Sequence, residues 1–131
     1  EENVDGAVRF KTSSENVEQL SISGGNVDIN LALGQSFNLN VTSAVQKFTV
    51  LNPPSEATAF TIKVTQDSTS YSVGINTFDN NAGTGVTVYW PGGVIPIVTQ
   101  VAGKTDIYSF KTFDGSSSLF GIVGGQNFTS T

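Results

Sequence analysis

Cysteine, histidine and methionine are all missing from this 131-residue chain, and charge of either sign is scarce. Without cysteine there is no disulfide framework, no thiolate metal site and no cysteine nucleophile. Without histidine, the commonest general base and the commonest metal ligand are gone. With no methionine, not even an initiator, the chain reads as a processed product, a fragment or a sequence given without its start. Charged residues make up 13% of it, where about a quarter is usual. Six Lys plus Arg against eleven Asp plus Glu leave a net charge of -5. That balance argues against nucleic acid, which needs a basic footprint, and against an anionic membrane surface. No apolar run approaches the roughly 18 residues of a membrane-spanning helix, and no signal peptide is visible.

What the chain does contain is hydroxyls, glycine and phenylalanine. Ser and Thr supply fifteen residues each, Gly fourteen and Phe nine, within an apolar share of 37%. That is enough for one packed domain, with roughly two-thirds of the unfolded surface buried. The most informative stretch is 86–103, which holds the single Trp, two of the four Pro and a Gly-Gly pair. Val86, Val88 and Trp90 fall on one face of an extended segment, Thr87 and Tyr89 on the other. Pro91-Gly92-Gly93 then stops the strand, since Pro lacks the ladder donor and Gly tolerates positive φ. Residues 94–98 read as an edge or bulged strand, because Pro96 lies inside them.

Period-two alternation runs through most of the rest. Residues 7–11 are a short strand candidate behind an acidic, polar start at 1–6, which is expected to fray unless a partner holds it. Residues 17–23 and 27–33 read as strands about the turn Gly24-Gly25-Asn26. Phe37, Leu39 and Val41 continue the alternation, and 45–51 is a further strand ended by Asn52-Pro53-Pro54. Phe60, Ile62 and Val64, then Tyr71, Val73 and Ile75, predict a hairpin about 66–69. Residues 79–85 read as a loop. Asp106, Tyr108 and Phe110 share one face of a long strand at 106–113. After the turn at Asp114-Gly115, residues 119–123 return antiparallel as a second hairpin. About ten short strands with no helical period predict an all-β chain: an antiparallel β-sandwich or jelly-roll-like domain at 34–131. The short strands of 1–33 form an N-terminal β arm, shaft-like or oligomerising, which needs the body or neighbouring chains for support.

Chemistry is hard to find. The carboxylates stand mostly beside turns, and turn geometry accounts for Asp67 and Asp114 without a catalytic pair. Asp79-Asn80-Asn81 has none of the spacing of a Ca²⁺ loop. Gly83-Thr84-Gly85 and Gly124-Gly125 lack the Walker lysine and a following helix. No catalytic, cofactor-binding or metal-ligating residue is therefore assigned, and no cofactor is expected. Exposed aromatics stack on sugars; alternation sends Trp90 to the core and leaves Tyr89 and Tyr108 as candidate glycan contacts.

The order and spacing of several segments carry a resemblance. They are Leu51-Asn52-Pro53-Pro54, Ala59-Phe60-Thr61-Ile62-Lys63-Val64-Thr65-Gln66-Asp67, Trp90-Pro91-Gly92-Gly93 with Pro96, residues 102–110, Phe113-Asp114-Gly115 and residues 120–128. Together, over roughly 34–128, they resemble a module of structural proteins in tailed bacteriophages, particularly marine and cyanobacterial phages. Residues 6–10 and 20–30 look like the short repeats of trimeric phage fibre shafts. One departure is the length of 74–85, between Tyr71 and Trp90, where the module has a shorter connection. The resemblance implies a non-enzymatic virion protein on the particle exterior: a tail-fibre or fibre-like subunit, or a capsid decoration protein. It implies a homo-oligomer, usually a trimer, in contact with other virion proteins. The alternative class is a carbohydrate-binding module that contacts host surface glycans. The module's motif is structural, so the resemblance carries over no functional residue.

Overall fold

A computed structural model of the chain describes residues 16–115 and 117–130. The acidic start at 1–6 and the strand candidate at 7–11 lie outside the described residues. Over the described residues the protein is all-β, 52% strand and 3% helical, and its mixed sheet curls into a half-barrel. Among the described residues ten strands follow in chain order: β1 (Val17–Gln19), β2 (Ile22–Ser23), β3 (Asn26–Asn30), β4 (Ser36–Val41), β5 (Lys47–Leu51), β6 (Thr58–Gln66), β7 (Phe78–Asn80), β8 (Gly85–Tyr89), β9 (Thr105–Thr112) and β10 (Ser118–Phe128). Across the sheet they run β1-β4-β6-β9-β10-β8-β7-β5-β3-β2.

Up to β7 the chain swings between the two halves of this curl. β4 and β6 lie in one half, β3, β5 and β7 in the other. Each return therefore lays a strand parallel to the one two before it: β3 with β5, β4 with β6, β5 with β7. A parallel pair needs a long crossover, commonly a helix; here the crossover is a strand of the opposite half. β1 with β4 and β10 with β8 are also parallel, so five of the nine pairings are. The expected antiparallel pairing holds for the other four, among them the β9–β10 hairpin through Asp114-Gly115 and the short β2–β3 hairpin. Gly24 and Gly25 turn the latter with φ of 59° and 82°, left-handed values that two consecutive glycines adopt without strain.

Two expected strands do not form. Residues 71–75 make only an isolated bridge from Val73 to Val45, so no hairpin follows β6. Residues 94–98 carry no strand either. Conversely Asp79 and Asn80, read as loop, belong to β7. The boundary expected at 33/34 falls in the turn between β3 and β4, and β3 contributes Val27 and Ile29, both fully buried, to the common core.

That core fills the curl. Inward residues alternate along the central strands: Phe37, Leu39 and Val41 on β4, Phe48 and Val50 on β5, Phe60, Ile62 and Val64 on β6. Phe60 stacks on Phe110 with centroids 5.2 Å apart, Phe78 tilts against Phe110 at 5.0 Å, and Trp90 meets the same ring edge-on at 5.7 Å. Phe110 thus ties both halves together. Rings at such offsets add about 0.5–1.5 kcal/mol per pair beyond the area they bury.

Candidate functional site

The site is best built from the strand stop upward. β8 delivers Val86, Val88 and Trp90 inward as the alternation predicts, and Trp90 is 6% exposed. Its indole N–H donates to Asn76 Oδ1 at 2.7 Å, so the ring is fixed at its polar end as well as by packing. The opposite strand makes room for it. A Cβ on Gly121 of β10 would lie 2.5 Å from the Trp90 ring. Beyond Trp90, Pro91–Gly93 make a single 3-10 turn in which Gly92 and Gly93 take φ of 65° and 72°. The chain leaves the sheet there and runs as an irregular loop to β9.

Two buried polar side chains clamp that loop. Asp106, 1% exposed, receives the Thr99 N–H at 2.8 Å, the Asn127 N–H at 2.8 Å and the Tyr108 hydroxyl at 2.7 Å. Burial by itself would raise the Asp106 pKa. The hydrogen bonds from Thr99, Asn127 and Tyr108 outweigh burial and hold the carboxyl below its usual range, as an anion. Burial first, and then the Asp106 carboxylate, push the Tyr108 phenol up, so it stays a neutral donor. Gln126 Nε2 donates to Tyr108 Oη at 2.9 Å and to the Ile97 carbonyl at 2.7 Å. Gln66, 2% exposed, donates to the carbonyls of Tyr71 and Thr99 and accepts the Tyr71 N–H at 3.0 Å. β6, β9 and the end of β10 are thereby fastened to the loop through its backbone.

With its backbone fastened inward and Val98 in the core, the loop turns three apolar side chains outward. Val94, Ile95 and Ile97 are 72%, 52% and 81% exposed. An apolar strip lies on the outer face of β8 and β10. Tyr89 stacks on Phe120 at 5.2 Å, Phe113 meets Phe120 edge-on at 5.8 Å, and Ile122 continues the row. Lys111 Nζ sits 5.0 Å above the Phe113 ring. A pocket of about 290 Å³, lined by Tyr89, Trp90, Pro91, Phe120, Gly121 and Ile122, opens in the strip. Farther along β10, Val123 and Phe128 remain exposed, and the Phe128 ring covers Gly125.

The two glycan candidates separate here. Tyr89 is half exposed with one ring face occupied by Phe120. Tyr108 is fully buried in the Asp106 clamp and offers no ring to a sugar. Sequence reasoning placed Tyr108 on the face of Phe110, and that shared face was the signal for its burial. Gln66 and the role of Asp106 were missed, because their partners are backbone groups of loops that no periodicity reveals.

The outer face of the other half is built differently. Lys47 Nζ lies 2.7 Å from Asp79 Oδ2, and the Thr49 hydroxyl is within 2.5 Å of Asp79 Oδ1 and 3.0 Å of Asn26 Oδ1. Asn26 in turn donates to Asp28. The hydrogen bond from Lys47, then that from Thr49, hold the Asp79 carboxyl below its usual range. A cleft of about 330 Å³ opens beside this face, with Glu18, Asp28, Leu33 and Leu51 in its walls. No group of three or more metal-ligating side chains occurs among the described residues. Comparison with protein-family models, with curated proteins and with solved structures found no match.

Proposed function

We propose that the chain is a non-enzymatic structural subunit of a tailed-bacteriophage virion. It forms or decorates an exposed appendage, as a tail-fibre or fibre-like subunit or as a capsid decoration protein. It works as a homo-oligomer, in the trimeric arrangement the resemblance implies, and contacts other virion proteins at the particle exterior. The observation that carries this reading is the exposed apolar row of Tyr89, Phe113, Phe120 and Ile122 on the outer face of β8 and β10. Exposed apolar rows of this kind mark surfaces that meet other molecules. The resemblance over 34–128 and the hydroxyl-rich surface of low charge support the same reading.

The carbohydrate-binding alternative draws less from the geometry. A sugar platform needs polar groups converging around its aromatic ring. The walls around Tyr89 are Trp90, Pro91, Phe120, Gly121 and Ile122, and the Trp90 N–H is already committed to Asn76. Mass spectrometry of purified virions, followed by gold-labelled antibody in the electron microscope, tests the proposal. Stoichiometric copies on the head surface or tail are expected. A chain made in infected cells but absent from intact particles would overturn it.

A further inference from the structure

We infer that residues 7–11 of this chain dock in a groove on the outer face of β1, β4, β6 and β9 of the same copy. The inference stands apart from the virion reading and holds for an isolated copy. The groove is built by strand register. Val17, Asn38, Thr61, Lys63 and Ile107 line it, and it encloses about 330 Å³. Val17 lies opposite Ser36, Ser36 opposite Thr61, Asn38 opposite Lys63 and Lys63 opposite Ile107, so all of them share the face turned away from the core. Val17 is 63% exposed, and Lys63 is the one charged side chain in the walls.

The groove also holds an unmet hydrogen-bond acceptor. Asn38 Nδ2 donates to Gln19 Oε1 at 2.8 Å, but Asn38 Oδ1 is buried and finds no donor among the described residues. Such an atom calls for a donor from elsewhere. None of residues 1–15 is proline, so the segment brings a backbone N–H at each step. Its length and point of attachment fit. Asn16 is the neighbour of Val17, which stands in the groove wall. Adjacent strands lie about 4.8 Å apart, which puts β1 about 14 Å from β9 across β4 and β6. Six extended residues span about 20 Å, enough to carry Phe10 as far as β9. Val8 and Phe10 alternate with Arg9 and Lys11, so an extended segment lays its larger apolar side chains in the groove and its cations in water. Charge agrees as well. Residues 1–15 carry Glu1, Glu2, Asp5 and Glu15 against Arg9 and Lys11, and the groove offers Lys63. Attachment at Asn16 holds the segment at an effective concentration on the order of millimolar, which favours it over the same segment of another copy.

The lack of cysteine makes the test direct, since one introduced thiol takes one nitroxide. Ala59→Cys places it at the groove's edge, on an exposed position of β6 two residues before Thr61, and Thr84→Cys places it on the exposed turn between β7 and β8. Amide NMR signals of residues 7–11 are then followed in the full chain. The nitroxide at Ala59→Cys should remove most of their intensity, at every protein concentration, and the one at Thr84→Cys should leave it. Adding Phe10→Asp should restore the signals while the Trp90 fluorescence of the folded chain is kept. In a mixture of nitroxide-bearing chain with isotope-labelled chain free of nitroxide, no loss is expected. Loss in that mixture assigns the groove to the segment of a neighbouring copy and overturns the inference. Loss that survives Phe10→Asp shows nearness through the tether alone and overturns it too. Signals at full intensity beside the nitroxide of Ala59→Cys overturn it outright.

Discussion

Two outer sheet faces of one small domain solve the same problem in opposite ways. On the half formed by β3, β5 and β7, Lys47, Asp79, Thr49, Asn26 and Asp28 satisfy one another across three strands. On the other half, β8 and β10 leave Tyr89, Phe120 and Ile122 facing water. The polar face is complete by itself, since each partner it needs sits on the same or a neighbouring strand. The apolar face offers water only rings and aliphatic groups. Its neighbouring loop is nevertheless held more firmly than its exposure suggests, because Asp106 and Gln66 fasten it from below. A preorganised apolar surface loses less entropy on association than a floppy one. The lesson is that the order of a surface loop is set by what its backbone is tied to, and its purpose by what its side chains are left to do.

Replacing Asp106 attacks the comparison where it is strongest. Asp106→Ala leaves the Thr99 and Asn127 N–H groups and the Tyr108 hydroxyl without an acceptor, a loss of about 3–5 kcal/mol. Urea unfolding would read it, and a loss below about 1 kcal/mol would show that the clamp is unimportant. The same carboxyl gives a pH signature. Asp106, Asp79 and Asp114 are all held below their usual pKa in the fold. At low pH the unfolded chain therefore binds more protons than the folded one. The stability they contribute is fully present above about pH 4 and is lost as pH falls through the folded values. A urea midpoint that stays level from neutral pH down to about pH 2 would contradict this. Gly121→Ala comes next, since its new methyl meets a Trp90 ring fixed by Asn76 and Phe110. The expected cost is about 1–3 kcal/mol, with a shift in Trp fluorescence.

On the polar face the effect should be smaller. Thr49→Val removes the hydroxyl that links Asp79 to Asn26 at nearly constant volume, for about 1 kcal/mol in thermal unfolding. Smallest of all is Ile97→Ser, on a side chain that is 81% exposed, where monomer stability should stay within about 0.5 kcal/mol. A large loss there would mean that the apolar face props up its own fold, and the contrast between the two faces would collapse.

The strands with clean alternation were legible from sequence, because burial on one face needs nothing beyond period two. Val27 and Ile29, Phe60, Ile62 and Val64, and Val86, Val88 and Trp90 all point inward as that period requires. The β9–β10 hairpin was legible too, from Asp114-Gly115 between two such runs. The parallel pairings were not, since a strand carries no mark of which neighbour lies beside it. Residues 71–75 and 94–98 alternate or branch like strands, yet at Tyr71 and Ile97 their backbones find Gln66 and Gln126 instead of a ladder. Of the candidate site, Tyr89 was visible as an outward residue of β8. The apolar row it joins depends on β10 lying parallel beside β8, a pairing that only the fold supplies.

One consequence of the strand order concerns the ends of the sheet. β1 and β2 are its two outermost strands, and only Leu20 and Ser21 separate them in the chain. Three peptide steps keep Gln19 and Ile22 within about 11 Å of each other. The ends of a ten-stranded ribbon are thus stitched together covalently where hydrogen bonds would close a true barrel. A break in the peptide at Leu20-Ser21 would leave every strand pairing intact and still turn a fastened girdle into an open strap.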